Sequence, residues 1–290
     1  MVGKKVSSLI LTVLVAFWCN AGFAQTTTNP DEILTKDPND IADSLERAQA
    51  KGKLVACADP YGYPYANQNM NPPGFDVEIM EALASRGGMR LEMYWADTGT
   101  RGGMSRALRR SLMKGRCDVF MGVSDSGDED QLMGKLTFTD AYMGTGYVLV
   151  TQGDAVGKKS IKELHEAGVK IGVPMSTPID NLLFEEKIAR ELYLDNRRIM
   201  RGLKDGEVNA AIVWATAMAV ARREVPGFEV QMEEGYVPAE GQRWNLSYMM
   251  MKKDKSLIRF LNEGVAELLA DGTIKEKVEK YGVPFYTPFK

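Results

Sequence analysis

The sequence predicts an α/β protein of two lobes, each a mostly parallel sheet flanked by helices. Three observations carry this reading. Short apolar runs alternate with amphipathic stretches of helical spacing, the pattern of parallel strands joined by crossover helices. That rhythm runs from Lys53, pauses near the middle of the chain, and starts a second cycle. The length of 290 residues suits about two domains, and 44% hydrophobic with 26% charged residues is the composition of a folded globular chain.

The elements follow in order. Residues 25–52 form a polar arm with an acidic opening and helical spacing in Ile41–Leu45. Lys53–Asp59 is a short buried strand, ended by Asp59-Pro60 and a loop rich in Tyr, Asn, Pro and Gly. Gly74 opens a helix to about Ser85, with Phe75, Ile79 and Leu83 on one face and Gly87-Gly88 as the stop. Leu91–Ala96 is a strand, Met104–Lys114 a helix and Cys117–Val123 a strand. In the second cycle Gly146–Val150, Val169–Val173, Ala210–Trp214 and Leu246–Lys252 read as strands. Ser160–Ala167, Asp180–Arg190, Ser256–Ala270 and Thr273–Lys280 read as helices. Ligands of such folds sit at the C-terminal ends of the strands.

Composition narrows the chemistry. A single His excludes a His-rich metal site and leaves little scope for a His-centred relay, and three Cys cannot make a four-cysteine cluster. A net charge of -3 gives no electrostatic footprint for nucleic acid. His165 falls in a polar helix away from the strand ends. Gly144-Thr145-Gly146 lacks the glycine spacing of a dinucleotide fold. Gly122–Gly127 fits a nucleophile elbow only loosely. No nucleophile–base pair is visible, so an exported hydrolase is disfavoured and no catalytic residue is assigned.

Residues 1–24 read as a secretory signal peptide. Lys4 and Lys5 precede an apolar run from Val6 to Trp18, and Ala21-Gly22-Phe23-Ala24 supplies small residues before a cut. Cys19 raises a lipoprotein alternative, which Trp18 beside it opposes. Removing the two lysines would take the formal charge from -3 to -5. An oxidising compartment leaves two readings of Cys57 and Cys117: a disulfide, or two buried thiols acting as small hydrophobes. Parallel strands aligned by their C-terminal ends would offset the two cysteines beyond bonding distance.

Three segments carry a family resemblance: Gly74-Phe75-Asp76-Val77-Glu78, Lys114 to Gly122, and Asp271-Gly272-Thr273-Ile274-Lys275 with Lys280-Tyr281-Gly282. The chain from Lys53 to Gly282 resembles the periplasmic solute-binding proteins of family 3, with a type II periplasmic binding protein fold. The resemblance implies two crossings between lobes, near 150–152 and 244–247. Lobe 1 would then be discontinuous, 53–150 with 246–290, around lobe 2 at 151–245, and the lobes would close by hinge motion. Two departures stand out. Amino-acid-binding members carry an Arg for the ligand carboxylate where this chain has Gln131-Leu132, and an Asp for the ammonium where it has Trp214. A zwitterion would find neither partner, at a cost of several kcal/mol in a closed cleft.

A narrower resemblance rests on Cys57-Ala58-Asp59-Pro60, Arg116-Cys117-Asp118-Val119 and Ala211-Ile212-Val213-Trp214. These segments are similar to the quinoprotein-dehydrogenase-associated binding proteins of the MoxJ/XoxJ type. That implies a periplasmic accessory of a PQQ-dependent, in some cases lanthanide-dependent, methanol dehydrogenase, with PQQ or lanthanide reached through the partner enzyme. The alternative is the binding component of an ABC importer for a small non-amino-acid ligand. Neither reading involves nucleic acid or stable insertion in a membrane.

The candidate cleft combines Tyr61, Tyr63 and Tyr65 as an aromatic wall with Phe75, Arg101, Ser124, Asp125, Ser176, Thr177 and Trp214. Arg101 and the neighbouring Arg106, Arg109 and Arg110 offer a solvated basic face or a partner contact. Ser176-Thr177 is either an anion-binding helix start or a plain cap. Trp214 is an anchor for a ligand or partner, or else filler of an inactive cleft. No metal site is assigned. Asp125, Asp128, Glu129 and Asp130 are weak candidates for a hard cation, against the simpler reading of a solvated acidic loop. Met249-Met250-Met251 reads as core filler rather than a binding surface.

Overall fold

The computed structural model describes residues 41–290 apart from 126–131, 226, 229 and 239–240. The expected signal peptide, most of the arm, and Asp128, Glu129, Asp130 and Gln131 lie outside the described residues. Helix α1 (Ser44–Ala50) starts on Asp43, whose carboxylate accepts from the Glu46 amide at 2.9 Å and from the Ser256 hydroxyl at 2.9 Å. That second bond fastens the arm to the C-terminal part of the chain.

Strand β1 (Lys53–Ala58) pairs in parallel with β2 (Arg90–Trp95) along its whole length and with β3 (Val119–Asp125) at Ala56 and Cys57. Helix α2 (Phe75–Arg86) makes the crossover between β1 and β2; α3 (Gly103–Arg110) makes the one between β2 and β3. Beyond β3 lies β10 (Arg243–Met251), antiparallel to it, and then β5 (Met143–Thr151), with the short β4 (Leu136–Phe138) also on β10. All nine residues of β5 are buried, as a central strand requires.

β5 then changes partner. Met143–Gly146 face β10, whereas Tyr147–Thr151 pair with β8 (Ala210–Trp214). β8 runs parallel to β6 (Ile171–Pro174), and β6 to the edge strand β7 (Arg190–Tyr193). Helices α4 (Ile161–Glu166), α5 (Pro178–Glu185), α6 (Asn196–Lys204) and α7 (Ala217–Glu224) belong to this second half, with β9 (Gln231–Met232) on the outer end of β5. The chain returns along β10 and ends in α8 (Lys255–Ala270) and α9 (Thr273–Lys280). The result is the two-lobed α/β fold expected, with an antiparallel strand pair at its middle.

Each half has its own core. In the first, Ile79, Met80 and Leu83 of α2 pack with Leu257, Leu261 and Val265 of α8 and with Ile274 and Val278 of α9. In the second, Ile199, Leu203 and Val213 cover one sheet face, and Ile171, Ile179, Leu183 and Ile212 the other. Met249 and Met250 are fully buried, as filler.

Some expected boundaries differ, each for a local reason. The helix expected over 104–114 breaks at Ser111, whose hydroxyl donates to the Ala107 carbonyl at 2.7 Å and ends the regular turns before a 3₁₀ turn at Leu112–Lys114. The helix expected to reach Arg190 stops at Glu185; Lys187 takes φ +57° and the chain re-enters the sheet as β7. β7 is charged and lies at the edge, where charges are tolerated and apolar alternation is weak.

Cys57 and Cys117 are disulfide-bonded, with Cα atoms 5.7 Å apart. The offset that argued against bonding assumed both residues in strands. Cys117 precedes β3, and the chain there turns toward β1, with the Asp118 amide donating to the Val55 carbonyl at 2.8 Å.

Candidate functional site

The loop after β1 is fixed from both sides. Asp59 accepts from the amides of Tyr61 (2.7 Å) and Thr98 (2.8 Å) and from the Thr98 hydroxyl. At the far end, the Phe75 and Asp76 amides that open α2 donate to the carbonyls of Pro64 and Tyr65 at 3.0 and 3.1 Å. Gly74 makes that closeness workable: at φ +134° its α-carbon lies against the Tyr65 carbonyl, where any Cβ would collide. The three tyrosines therefore take three different places. Tyr61 is 68% exposed. Tyr63 stands 6.2 Å from the Tyr281 ring, under the Arg223 guanidinium. Tyr65 lies tilted against Phe75, with ring centroids 4.9 Å apart, and faces the second half.

There it meets Trp214. The indole Nε1–H donates to the Tyr65 hydroxyl at 3.1 Å, joining the end of β8 to the loop after β1. Trp214 in turn lies 5.1 Å from the Trp244 ring and edge-on to Tyr147 at 5.7 Å. The spot where a fixed carboxylate would hold an ammonium is thus a wall of rings with one polar link across it. Burial pushes the Tyr65 hydroxyl up to about 12, so it remains a neutral acceptor for the indole.

Ser176 and Thr177 form a tight corner at the end of β6. Ser176 takes φ +60°, and its amide donates to the Asp180 carboxylate at 2.9 Å. Arg190 holds that carboxylate from the other side at 2.6 Å and, with the hydrogen bonds, lowers its pKa. Thr177 caps α5, and its hydroxyl donates to the Pro174 carbonyl at 2.6 Å. The corner is a cap in the plain sense: the Ser176 amide that an anionic ligand would use is already engaged by the chain's own carboxylate.

The remaining candidates are dispersed. Ser124 and Asp125 end β3, half-buried and exposed respectively. Arg101 is exposed in the turn before α3. Phe75 is fully buried behind Tyr65, so it supports the wall instead of lining it. Among the described residues no group of His, Cys, Asp and Glu could hold a metal ion.

Sequence reasoning did not single out Asp76. It is 1% exposed, and neither carboxyl oxygen has a partner in good hydrogen-bonding geometry. The Tyr142 hydroxyl lies close enough to interact, and the Tyr248 ring stacks on Tyr142 at 4.6 Å. Burial raises the carboxyl to about 7, and the Tyr142 hydroxyl opposes the rise. No sequence signal marked it, since an acid in the first turn of a helix is ordinarily solvated.

Comparison with known proteins agrees with this architecture. Residues 53–284 match the model of the bacterial extracellular solute-binding proteins, family 3. A probable amino-acid-binding protein of Bacillus subtilis (strain 168) is 26% identical over 286 residues, 96% of this chain and 95% of its own. A probable histidine-binding protein of Neisseria gonorrhoeae is 24% identical, over 73% of this chain and 75% of its own. The unliganded open L-cystine receptor of Neisseria gonorrhoeae superposes with a TM-score of 0.66 at 20% identity, covering 82% of this chain and 96% of that one. An ancestral cyclohexadienyl dehydratase gives 0.60 at 19% identity, over 83% and 97%, so the same fold also carries enzymes. Among the described residues no helix is long and apolar enough to cross a membrane. With the matched region spanning both halves from β1 to the residues after α9, the chain belongs to the bacterial extracellular solute-binding proteins, family 3.

Proposed function

We propose that the chain is an exported, non-catalytic binding component for a small solute other than a free amino acid, serving an ABC importer from the periplasm. The relatives named for amino acid and histidine binding support a small-molecule cargo. The observation that carries the rest is the Trp214–Tyr65 link in the cleft. Where a zwitterion needs a carboxylate the site offers an indole, and the Ser176 amide is engaged by Asp180. An ammonium and a carboxylate left unpaired there would each cost several kcal/mol. The cleft suits an uncharged ligand that stacks on Trp214 and Tyr65 and takes hydrogen bonds from hydroxyls.

Thermal-shift titration with the common amino acids and with a panel of neutral aromatic and hydroxylated solutes tests this. Saturable stabilisation is expected only from the neutral set, and to be lost in Trp214→Ala. Micromolar stabilisation by an amino acid would overturn the ligand assignment.

A second reading is favoured by the same link. Because the link itself closes the cleft between the end of β8 and the loop after β1, the surface around it would serve a protein partner as readily as a solute. The segments Cys57–Pro60, Arg116–Val119 and Ala211–Trp214, two of them joined by the Cys57–Cys117 bond, support an accessory of a PQQ-dependent methanol dehydrogenase. Recovery of a quinoprotein dehydrogenase on the tagged protein from periplasm would select this reading. Recovery of importer subunits, with solute-dependent stabilisation, would select the first. In either case residues 53–150 with 246–290 would move against 151–245.

A further inference from the structure

A pocket whose walls include neither Trp214 nor Tyr65 opens between the loop after β1, α7 and the end of α9. Its volume is about 300 Å³, and its walls are Tyr63, Met70 and Pro72 from the loop after β1, Ala219, Arg222 and Arg223 from α7, and Lys280 and Tyr281 at the end of α9. That is the lower end of the size range of small-ligand sites. It combines apolar and aromatic walls with three cations, a mixture that a merely solvated basic face does not need.

The charges are unevenly satisfied. Lys280 donates to Glu78 at 2.8 Å, and the same carboxylate accepts from the Tyr281 hydroxyl at 2.7 Å. Glu224, next in sequence to the two arginines, is taken by Arg197 at 2.9 Å. Among the described residues neither Arg222 nor Arg223 has a carboxylate partner. Arg223 instead lies 4.9 Å over the Tyr63 ring with a nitrogen on the Met70 sulfur at 2.8 Å. Arg222 runs across Gly282 so closely that a Cβ there would fall 2.7 Å from its Nη1. Both guanidiniums are therefore positioned by apolar and backbone contacts, with their charge left for something else. A guanidinium held in place gives up less freedom on binding and offers a planar fork that matches a carboxylate.

We propose that this pocket binds a small organic dicarboxylate with a flat, apolar body, its carboxylates on Arg222 and Arg223 and its body against Tyr63 and Met70. The apolar walls distinguish this class from inorganic anions, which would leave Tyr63, Met70 and Pro72 without contact. The two guanidiniums distinguish it from neutral aromatics. Because α7 belongs to one half of the fold and the tyrosine loop to the other, such an anion also bridges the halves. The site goes beyond the solute reading of the Trp214–Tyr65 cleft and does not depend on it.

The test is titration of the full chain with isophthalate, followed by calorimetry and by tyrosine ring signals in NMR, with inorganic phosphate and benzyl alcohol as comparison probes. Saturable isophthalate binding in the submillimolar range is expected, weakening as salt is raised. The Arg222→Gln/Arg223→Gln double variant is expected to lose about tenfold or more, and Arg222→Lys/Arg223→Lys to lose less. The neutral solutes of the cleft reading are expected not to compete with isophthalate, so a failed cleft reading and a failed pocket reading give different patterns. No saturation, equal binding by phosphate or benzyl alcohol, or an unchanged affinity in the Gln double variant each overturns the proposal. Unaltered thermal melts of the variants, whose changed side chains are exposed, establish that a loss is not one of folding.

Discussion

Asp76→Asn should make the protein more stable at neutral pH and change how stability depends on pH. The parent buries a carboxyl that is raised from an ordinary 3.8 to about 7 by loss of water, with Tyr142 beside it. A raised acid favours the fold while it is neutral. Its contribution is therefore fully present below about pH 4 and is lost as pH rises through 7. At 1.36 kcal/mol per pKa unit the full loss above pH 7 is about 4 kcal/mol, and about 2.5 kcal/mol of it falls between pH 5 and 7.5. The Asn amide has nearly the same shape, carries no charge, and its oxygen can still accept from the Tyr142 hydroxyl. Urea melts of both proteins at pH 5 and 7.5 should show the variant gaining on the parent by that amount. In Tm the gain is roughly 4–5 °C for a chain of this size. Parallel pH curves would refute the reasoning, since they would mean that Asp76 does not titrate differently in the folded state.

Reduction of the Cys57–Cys117 bond, which closes a loop of 60 residues, should lower stability by about 4 kcal/mol, read as a drop in the urea midpoint with added thiol. Ser176→Gly should stabilise by up to about 1 kcal/mol in the same assay, because it removes a side chain from φ +60° and keeps the amide bond to Asp180. Gly74→Ala should cost several kcal/mol or prevent folding, seen as loss of soluble protein or of a cooperative melt, because its Cβ meets the Tyr65 carbonyl.

Much of the fold is legible because its signals are local. Gly74 and Gly87-Gly88 bracket α2, and Thr273 to Lys280 is helical over the expected span. The misses are of another kind. β7 carries Arg190 and Glu191 at a sheet edge, and its strand character comes from pairing with β6, a partner distant in sequence. β4 and β9 are too short for any pattern. The site was legible to the extent that residue type alone decides it. Trp214 in place of a carboxylate could be read directly, but its partner Tyr65, nearly 150 positions away, could not be chosen from three alternating tyrosines. Asp76 was hidden because an acid at a helix start is ordinarily solvated, and only the packing of Tyr142 and Tyr248 around it removes the water.

The strands β5 and β10 run side by side from Met143 opposite Leu246 to Gly146 opposite Arg243, and β5 then continues unbroken into the second half. The two halves are therefore joined by a hydrogen-bonded ribbon and not by free loops. Sliding one strand along the other would break the hydrogen bonds of that register, whereas twisting the pair would keep them. A turn of one half about this ribbon could therefore part the Trp214 indole from the Tyr65 phenol without re-pairing the sheet.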